Sequence, residues 1–281
     1  MSLAVRYYDD PVTCANYVKD RRKYPICIFN TILDYIKERK DTPISGRFLL
    51  AVDVGCGPGV TSTSPLSPYF DKVLGVDISE AQIREANLHN EFDNIEYKVT
   101  RGEALPLDDS SVTLVQVATT LPFLDHEKFY RECDRVLVPG GVIAAYTYSC
   151  QDFRVIGLPN ACELSEIMNE ISERVNSNQN PDSSDYNLMT IRKYTDPCLQ
   201  IRFPDRKRIE NLYMTIHSTV NGFIQFHLSV PFIRNYVNSC GETMAWWKSC
   251  EERMMEAYGT DNPEAPLTYQ MEVYMLLGRK S

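Results

Sequence analysis

Three glycines in five positions, Gly55, Gly57 and Gly59, directly follow a short apolar run in "VDVGCGPGV". A turn of this kind lets the backbone approach a ligand that side chains would block, and such turns commonly receive a nucleotide. Acids stand on both sides of it. Asp53 lies two residues before the first glycine, and Asp77 closes the next apolar run, "KVLGVDI". In an open parallel sheet the ligand sits beyond the carboxyl ends of the strands, where Asp77 can accept hydrogen bonds from a ribose.

The glycine spacing separates the candidate ligands. A dinucleotide turn wants G-x-G-x-x-G, so that a helix N-terminus meets the pyrophosphate. Here the pattern is G-x-G-x-G, with Val60 where the third glycine would fall. Asp53, close to the ligand, suits a zwitterionic sulfonium better than a pyrophosphate. No Gly-Lys-Ser/Thr follows, which excludes a phosphate-loop nucleotidase. The residues favour S-adenosylmethionine over a nicotinamide dinucleotide. Taken singly, each has a plainer reading, because glycines serve close packing and strand-end acids cap helices.

The elements that must position these residues alternate. "FLLAVDV", "KVLGVDI", "IEYKVTRG", "VTLVQVA" and "GVIAAYTY" read as strands. "ICIFNTILDYIKERK" places Ile28, Ile32, Leu33 and Ile36 on one helical face. "SEAQIREANLH" reads as a helix with Ser79 as N-cap, and "HEKFYRECDRVL" as one that stops at Pro139-Gly140-Gly141. Such alternation predicts right-handed crossovers and an α/β, Rossmann-like, doubly wound, mainly parallel sheet. Beyond residue 150, "ELSEIMNEISERV" is amphipathic, "NSNQNPDSSDYN" is loop-like, and "IENLYMTIHS" and "VYMLLG" read as late strands around a helical stretch.

The whole chain narrows the function classes. Its 281 residues carry a net charge of −9, which argues against nucleic acid and against an anionic membrane surface. No apolar run approaches a membrane span, and no basic-then-apolar N-terminus suggests a secretory signal. The nine cysteines include no pair separated by two residues, so neither a zinc framework nor a redox pair is expected. Reduced thiols in a cytoplasmic protein are the expectation.

"RGEALPLDDSSVTLVQV" and "RVLVPGG" complete an order of four motifs. With them, residues 48–148 resemble a class I S-adenosylmethionine-dependent methyltransferase of the small-molecule subgroup. "YVKDRRKYP", "LPFLDHEKFYRECDRVLVPGG" and "YMLLGRK" are similar to segments of trans-aconitate-methyltransferase-like proteins. That subgroup carries His-Trp after strand four, where this chain has Pro122-Phe123.

The resemblance implies a seven-stranded sheet with an antiparallel C-terminal strand and a helical cap. It divides the chain into a lid segment (1–40), the cofactor-binding core (41–150), a cap insertion (151–208) and a completion of the sheet (209–281). It implies that Gly55, Cys56, Gly57 and Gly59 form the cofactor turn and that Asp53 positions the ammonium end. Asp77 and Ile78 would meet the ribose, Glu103 and Ala104 the adenine, and Ala118 and Thr119 the methionine side. Arg21 and Tyr24 would close over the site from the N-terminal segment. Cys56 is no clear nucleophile, and His126, His217 and His227 stand alone, without a visible triad.

The expected partner is a small-molecule methyl acceptor, a carboxylate or a hydroxyl, with no resident metal; the oligomeric state stays open. The rival readings are a methyltransferase-like binding protein without turnover and an NAD-dependent oxidoreductase.

Overall fold

The computed structural model describes residues 24–38, 46–177 and 188–281. Five strands, β1 (Phe48–Val54), β2 (Phe70–Asp77), β3 (Ile95–Val99), β4 (Val112–Ala118) and β5 (Leu137–Tyr148), pair in parallel in the order β3-β2-β1-β4-β5. β7 (Asp205–Thr219) and β8 (Pro266–Arg279) complete the sheet, with β8 antiparallel to β5 and β7 antiparallel to β8. The two-residue β6 (Arg154–Val155) pairs with β8 at Tyr269 and Gln270. It prolongs the line of β5, whose last partner on β8 is Val273. The sheet is therefore seven strands wide with one strand reversed, a Rossmann-like arrangement.

Alternation of side chains explains the two layers on this sheet. Val52, Val54, Val115 and Val117 face one apolar cluster, into which α3 (His126–Val136) inserts Phe129, Cys133 and Val136. Ala51, Leu114, Ala118 and Ala144 face the other. There α1 (Ile26–Lys37) buries Ile28, Phe29, Ile32, Leu33, Tyr35 and Ile36. Each such side chain contributes about 1.5–3 kcal/mol of burial. α2 (Glu80–Leu88) starts where Ser79 Oγ accepts the Gln82 N–H at 3.2 Å, the cap the sequence predicts.

The cap is built from two separate stretches of chain. α4 (Ala161–Ser177) packs against α5 (Val220–Leu228), α6 (Pro231–Val237) and α7 (Gly241–Tyr258), which lie between β7 and β8. Arg253 on α7 forms a bidentate pair with Glu170 on α4 at 2.6 and 2.9 Å. Inside the cap, buried His227 meets Ser172 Oγ at 2.9 Å among Phe153, Phe223, Phe226 and Trp247.

Two expectations need correcting. The helix ending at Val136 does not run to Pro139-Gly140-Gly141; the chain enters β5 at Leu137. The Pro-Gly-Gly stretch is a bulge inside the strand, where the register shifts between Val112 and Leu114 and Gly140 takes φ 77°. Second, the described part of the segment read as a lid packs as core along α1, while Tyr24 at its start also lines the cleft described below. Residues 24–37 supply core side chains, and Tyr24 itself is 8% exposed. Residues 1–23, with Arg21, lie outside the described residues.

Phe29, 1% exposed on α1, discriminates between core and lid. Phe29→Ala should lower unfolding stability by about 3–5 kcal/mol in urea, whereas a detachable cover would leave the midpoint unmoved.

Candidate active site

The turn after β1 is anchored through its backbone. The N–H groups of Gly55 and Cys56 both donate to the Val76 carbonyl, at 2.8 and 3.0 Å. Gly57 N–H donates to Asp77 Oδ2 at 3.0 Å, and Ser79 N–H to Asp77 Oδ1 at 2.9 Å. The carboxylate that closes β2 thus ties the glycine turn to the start of α2.

The three glycines serve different ends, although all lie at positive φ: 70° at Gly55, 54° at Gly57 and 75° at Gly59. A β-carbon on Gly55 would fall 2.3 Å from the Thr120 side chain, and one on Gly59 would fall 2.1 Å from Tyr97 Oη. Those two positions are glycine because neighbouring side chains fill the space. At Gly57 a β-carbon would meet nothing nearer than Gln82 Oε1 at 3.7 Å, so this glycine borders open room.

That room is a cleft at the carboxyl ends of β1, β4 and β5. Gly55, Cys56 and Gly57 form one wall with Thr61 and Ser62, and Ala118, Thr119 and Thr120 form a second. Tyr148 and Tyr24 close it from the end of β5 and the approach to α1. Thr119 holds φ 60°, an uncommon conformation for a β-branched residue, while its N–H donates to Tyr146 O at 2.8 Å. Tyr24 is held edge-on to Tyr146, with ring centroids 4.9 Å apart.

Asp53 lies behind the wall, fully buried. Its Oδ2 accepts from Ser62 Oγ at 2.7 Å and Thr63 Oγ1 at 2.6 Å, and its Oδ1 has no partner among the described residues. Burial pushes this carboxyl up to about 6, opposed by Thr63, Ser62 and Gln116 and reinforced by the charge of Asp77. A cation brought to Oδ1 would supply the missing partner and favour the ionised form. Burial, then Asp77 and Asp53, hold the Cys56 thiol well above its ordinary range, so it is no nucleophile.

The cleft therefore gathers Gly55, Cys56, Gly57, Ala118, Thr119 and Tyr24 from the residues expected at the site. Asp53 and Asp77 stand behind the turn. Gly59 packs on Tyr97, away from the cleft. Ile78 is half-buried after β2 and Ala104 is exposed. Glu103 Oε1 accepts the Asp125 N–H at 2.8 Å and so helps fix the start of α3. Sequence reasoning missed Thr61, Ser62, Thr120 and Tyr148. The period of two placing Tyr146 and Tyr148 on one face at the end of β5 was the signal for the last.

The model of a methyltransferase domain family matches residues 52–145, which span β1 to β5 and the cleft's two principal walls. A Dictyostelium discoideum protein with a provisional methyltransferase name is 25% identical over 94% of this chain and 92% of its own length. A ubiquinone biosynthesis O-methyltransferase of Maricaulis maris is 29% identical over 42% of this chain, which spans 47% of that relative. A solved structure from Anaeromyxobacter dehalogenans, titled provisionally as a type II methyltransferase, shares the fold. It has a TM-score of 0.68 at 23% identity over 92% of this chain and 97% of its own. The chain is an S-adenosylmethionine-dependent methyltransferase. The oxidoreductase reading falls with that finding. Among the described residues, no helix of this methyltransferase is long and apolar enough to cross a membrane.

The glycine geometry makes a testable contrast. Gly59→Ala should destabilise the methyltransferase by more than Gly57→Ala, which pays only the left-handed backbone cost of about 1–2 kcal/mol. Denaturant unfolding of both variants measures the difference. For Asp53 the raised pKa means that its stabilising contribution is full below the ordinary carboxylate range and is lost as pH rises through about 6. Asp53→Asn should therefore gain stability relative to wild type on going from about pH 5 to about pH 7, by roughly 1 kcal/mol. Parallel urea titrations at the two pH values check it.

Proposed function

We propose that this methyltransferase alkylates a small molecule, a carboxylate or hydroxyl compound, in the cleft between the glycine turn and Tyr148. The observation that carries the cofactor's placement is Asp53: a fully buried carboxylate, one oxygen unpartnered, behind a turn whose Gly57 borders open space. The donor set fits a zwitterionic sulfonium. Asp53 would face its ammonium end, and Gly55, Cys56 and Gly57 would admit its methionine portion. Ala118 and Thr119 would line the same portion from β4. Asp77, already oriented by two backbone N–H groups, would accept from the ribose hydroxyls. Ile78, Glu103 and Ala104 would border the nucleoside, with Glu103 also serving α3.

When bound, S-adenosylmethionine supplies a methyl group already activated for in-line displacement. The chain's part is then to orient the acceptor and exclude water. Tyr24 and Tyr148, buried to 8% and 7% exposure, line the cleft together with Thr119 and Thr120. The described lining contains no carboxylate or imidazole to act as base, which suits an acceptor that ionises by itself. The cleft's closure by two tyrosines and the net charge of −9 favour a compact acceptor over a nucleic acid. The Maricaulis maris relative, by its name an O-methyltransferase of ubiquinone biosynthesis, supports the same class. The trans-aconitate acceptor is not carried over. At the point of departure, Pro122 is buried and Phe123 half-buried in a short 3-10 turn.

Calorimetry should detect S-adenosylhomocysteine binding and no binding of NAD. Asp77→Ala should weaken the former by about 1–3 kcal/mol, the cost of removing a charged acceptor from buried hydroxyls. Gly57→Val should abolish it while the protein stays folded. Labelled methyl groups from S-adenosylmethionine should appear in the low-molecular-weight fraction of a metabolite extract. Homocysteine-form binding without any transfer would instead favour the reading of a binding protein without turnover.

A further inference from the structure

Under the floor of the cleft, three strands bring three polar side chains to one face of the sheet. Asp53 on β1 stands in register with Gln116 on β4, and Ala118, two residues beyond Gln116, pairs with Tyr146 on β5. Register partners point to the same side and side chains alternate along a strand, so Asp53, Gln116 and Tyr146 share that face. All three are fully buried. Asp53 Oδ1, Gln116 Oε1 and Tyr146 Oη each lack a partner among the described residues.

The hydrogen-bonding capacities of these atoms are specific. Gln116 Nε2 already donates to the Ser62 carbonyl at 3.0 Å, which leaves Oε1 as an acceptor. Asp53 Oδ1 is an acceptor, and the Tyr146 hydroxyl has a proton to give. Two acceptors and one donor are what a single water satisfies, by donating both protons and accepting one. Buried water typically makes about three bonds to otherwise unpaired groups. Leaving any of the three unmet carries an uncompensated desolvation cost. The Asp53 charge is close enough to help raise the Tyr146 phenol, after burial.

We propose that Tyr146 is a positioning residue whose hydroxyl donates, through an enclosed water also held by Gln116, to the free oxygen of Asp53. This bond stabilises the carboxylate form and aims it toward the cleft; its use in cofactor binding rests on the placement proposed above. The other groups acting with Asp53 are Ser62 and Thr63 beyond the turn, Cys56 within it, Asp77 on β2 and Tyr97 on β3. Of these Asp77 is the carboxylate, and it opposes ionisation. The ring of Tyr146 is fixed independently of its hydroxyl by the edge contact with Tyr24.

Tyr146→Phe removes the hydroxyl and keeps the ring. In ligand-free protein labelled with carboxyl-13C aspartate, with the signal assigned by Asp53→Asn, the Asp53 titration midpoint should rise by about half a pH unit in Tyr146→Phe. Wild type should also show a long-lived water cross-peak to the Tyr146 ring. The loss of S-adenosylhomocysteine affinity in the variant should be about twofold greater near pH 6 than near pH 8. A merely structural role would lower affinity equally at both. Equal Asp53 midpoints in the two proteins overturn the proposal. Absence of S-adenosylhomocysteine binding to wild type would overturn the cofactor placement instead, while the ligand-free titration still decides the role of Tyr146.

Discussion

The Val76 carbonyl accepts two N–H groups from the chain that leaves β1, and the site depends on that pair of hydrogen bonds. It forces the turn to fold back over the end of β2 rather than continue outward. Once Gly55 and Cys56 are tied there, the next N–H, that of Gly57, reaches the Asp77 carboxylate. The path requires left-handed backbone at Gly55, Gly57 and Gly59, which other residues adopt only at a cost. Glycine at these positions follows from the hydrogen bonds before any ligand is considered.

The same turn decides which acid does what. Asp77, half-buried, is held by backbone donors and remains beside solvent, as a group meeting ribose hydroxyls would have to. Asp53, two residues before the turn, is carried inside, where Ser62 and Thr63 donate to one oxygen and the Gln116 side chain also favours the carboxylate. One carboxylate is oriented and the other is left partly unmet. A buried carboxylate with a free oxygen is unfavourable alone, and it gains most from a cationic partner. In this protein the stability cost and the proposed binding capacity share an atom.

The walls of the cleft show how far the core extends into the site. Tyr24 and Tyr148 belong to the apolar cluster under α1, and Tyr148 touches Phe226 of the cap. The N-terminal approach, the sheet and the cap thus meet in one aromatic group. That packing is why residues 24–37 behave as core, even though their sequence was read as the end of a lid.

Short-range pattern carried much of this protein. Alternating apolar runs set the strands, Ser79 capped its helix as read, and the glycine spacing with Asp53 and Asp77 marked the site, because each depends on residues a few positions apart. What needed the tertiary structure depends on neighbours distant in the chain. Thr120 and Tyr97, at least 38 residues from the glycines they abut, decide that Gly55 and Gly59 leave no room for a β-carbon while Gly57 opens onto the cleft. Pro139-Gly140-Gly141 looked like a helix stop, and pairing with β4 turned it into a strand bulge. Glu103 became an anchor for α3 through Asp125. The burial of Asp53 and its juxtaposition with Gln116 and Tyr146 come from three strands laid side by side, and strand pairing over such separations leaves no local trace in the sequence.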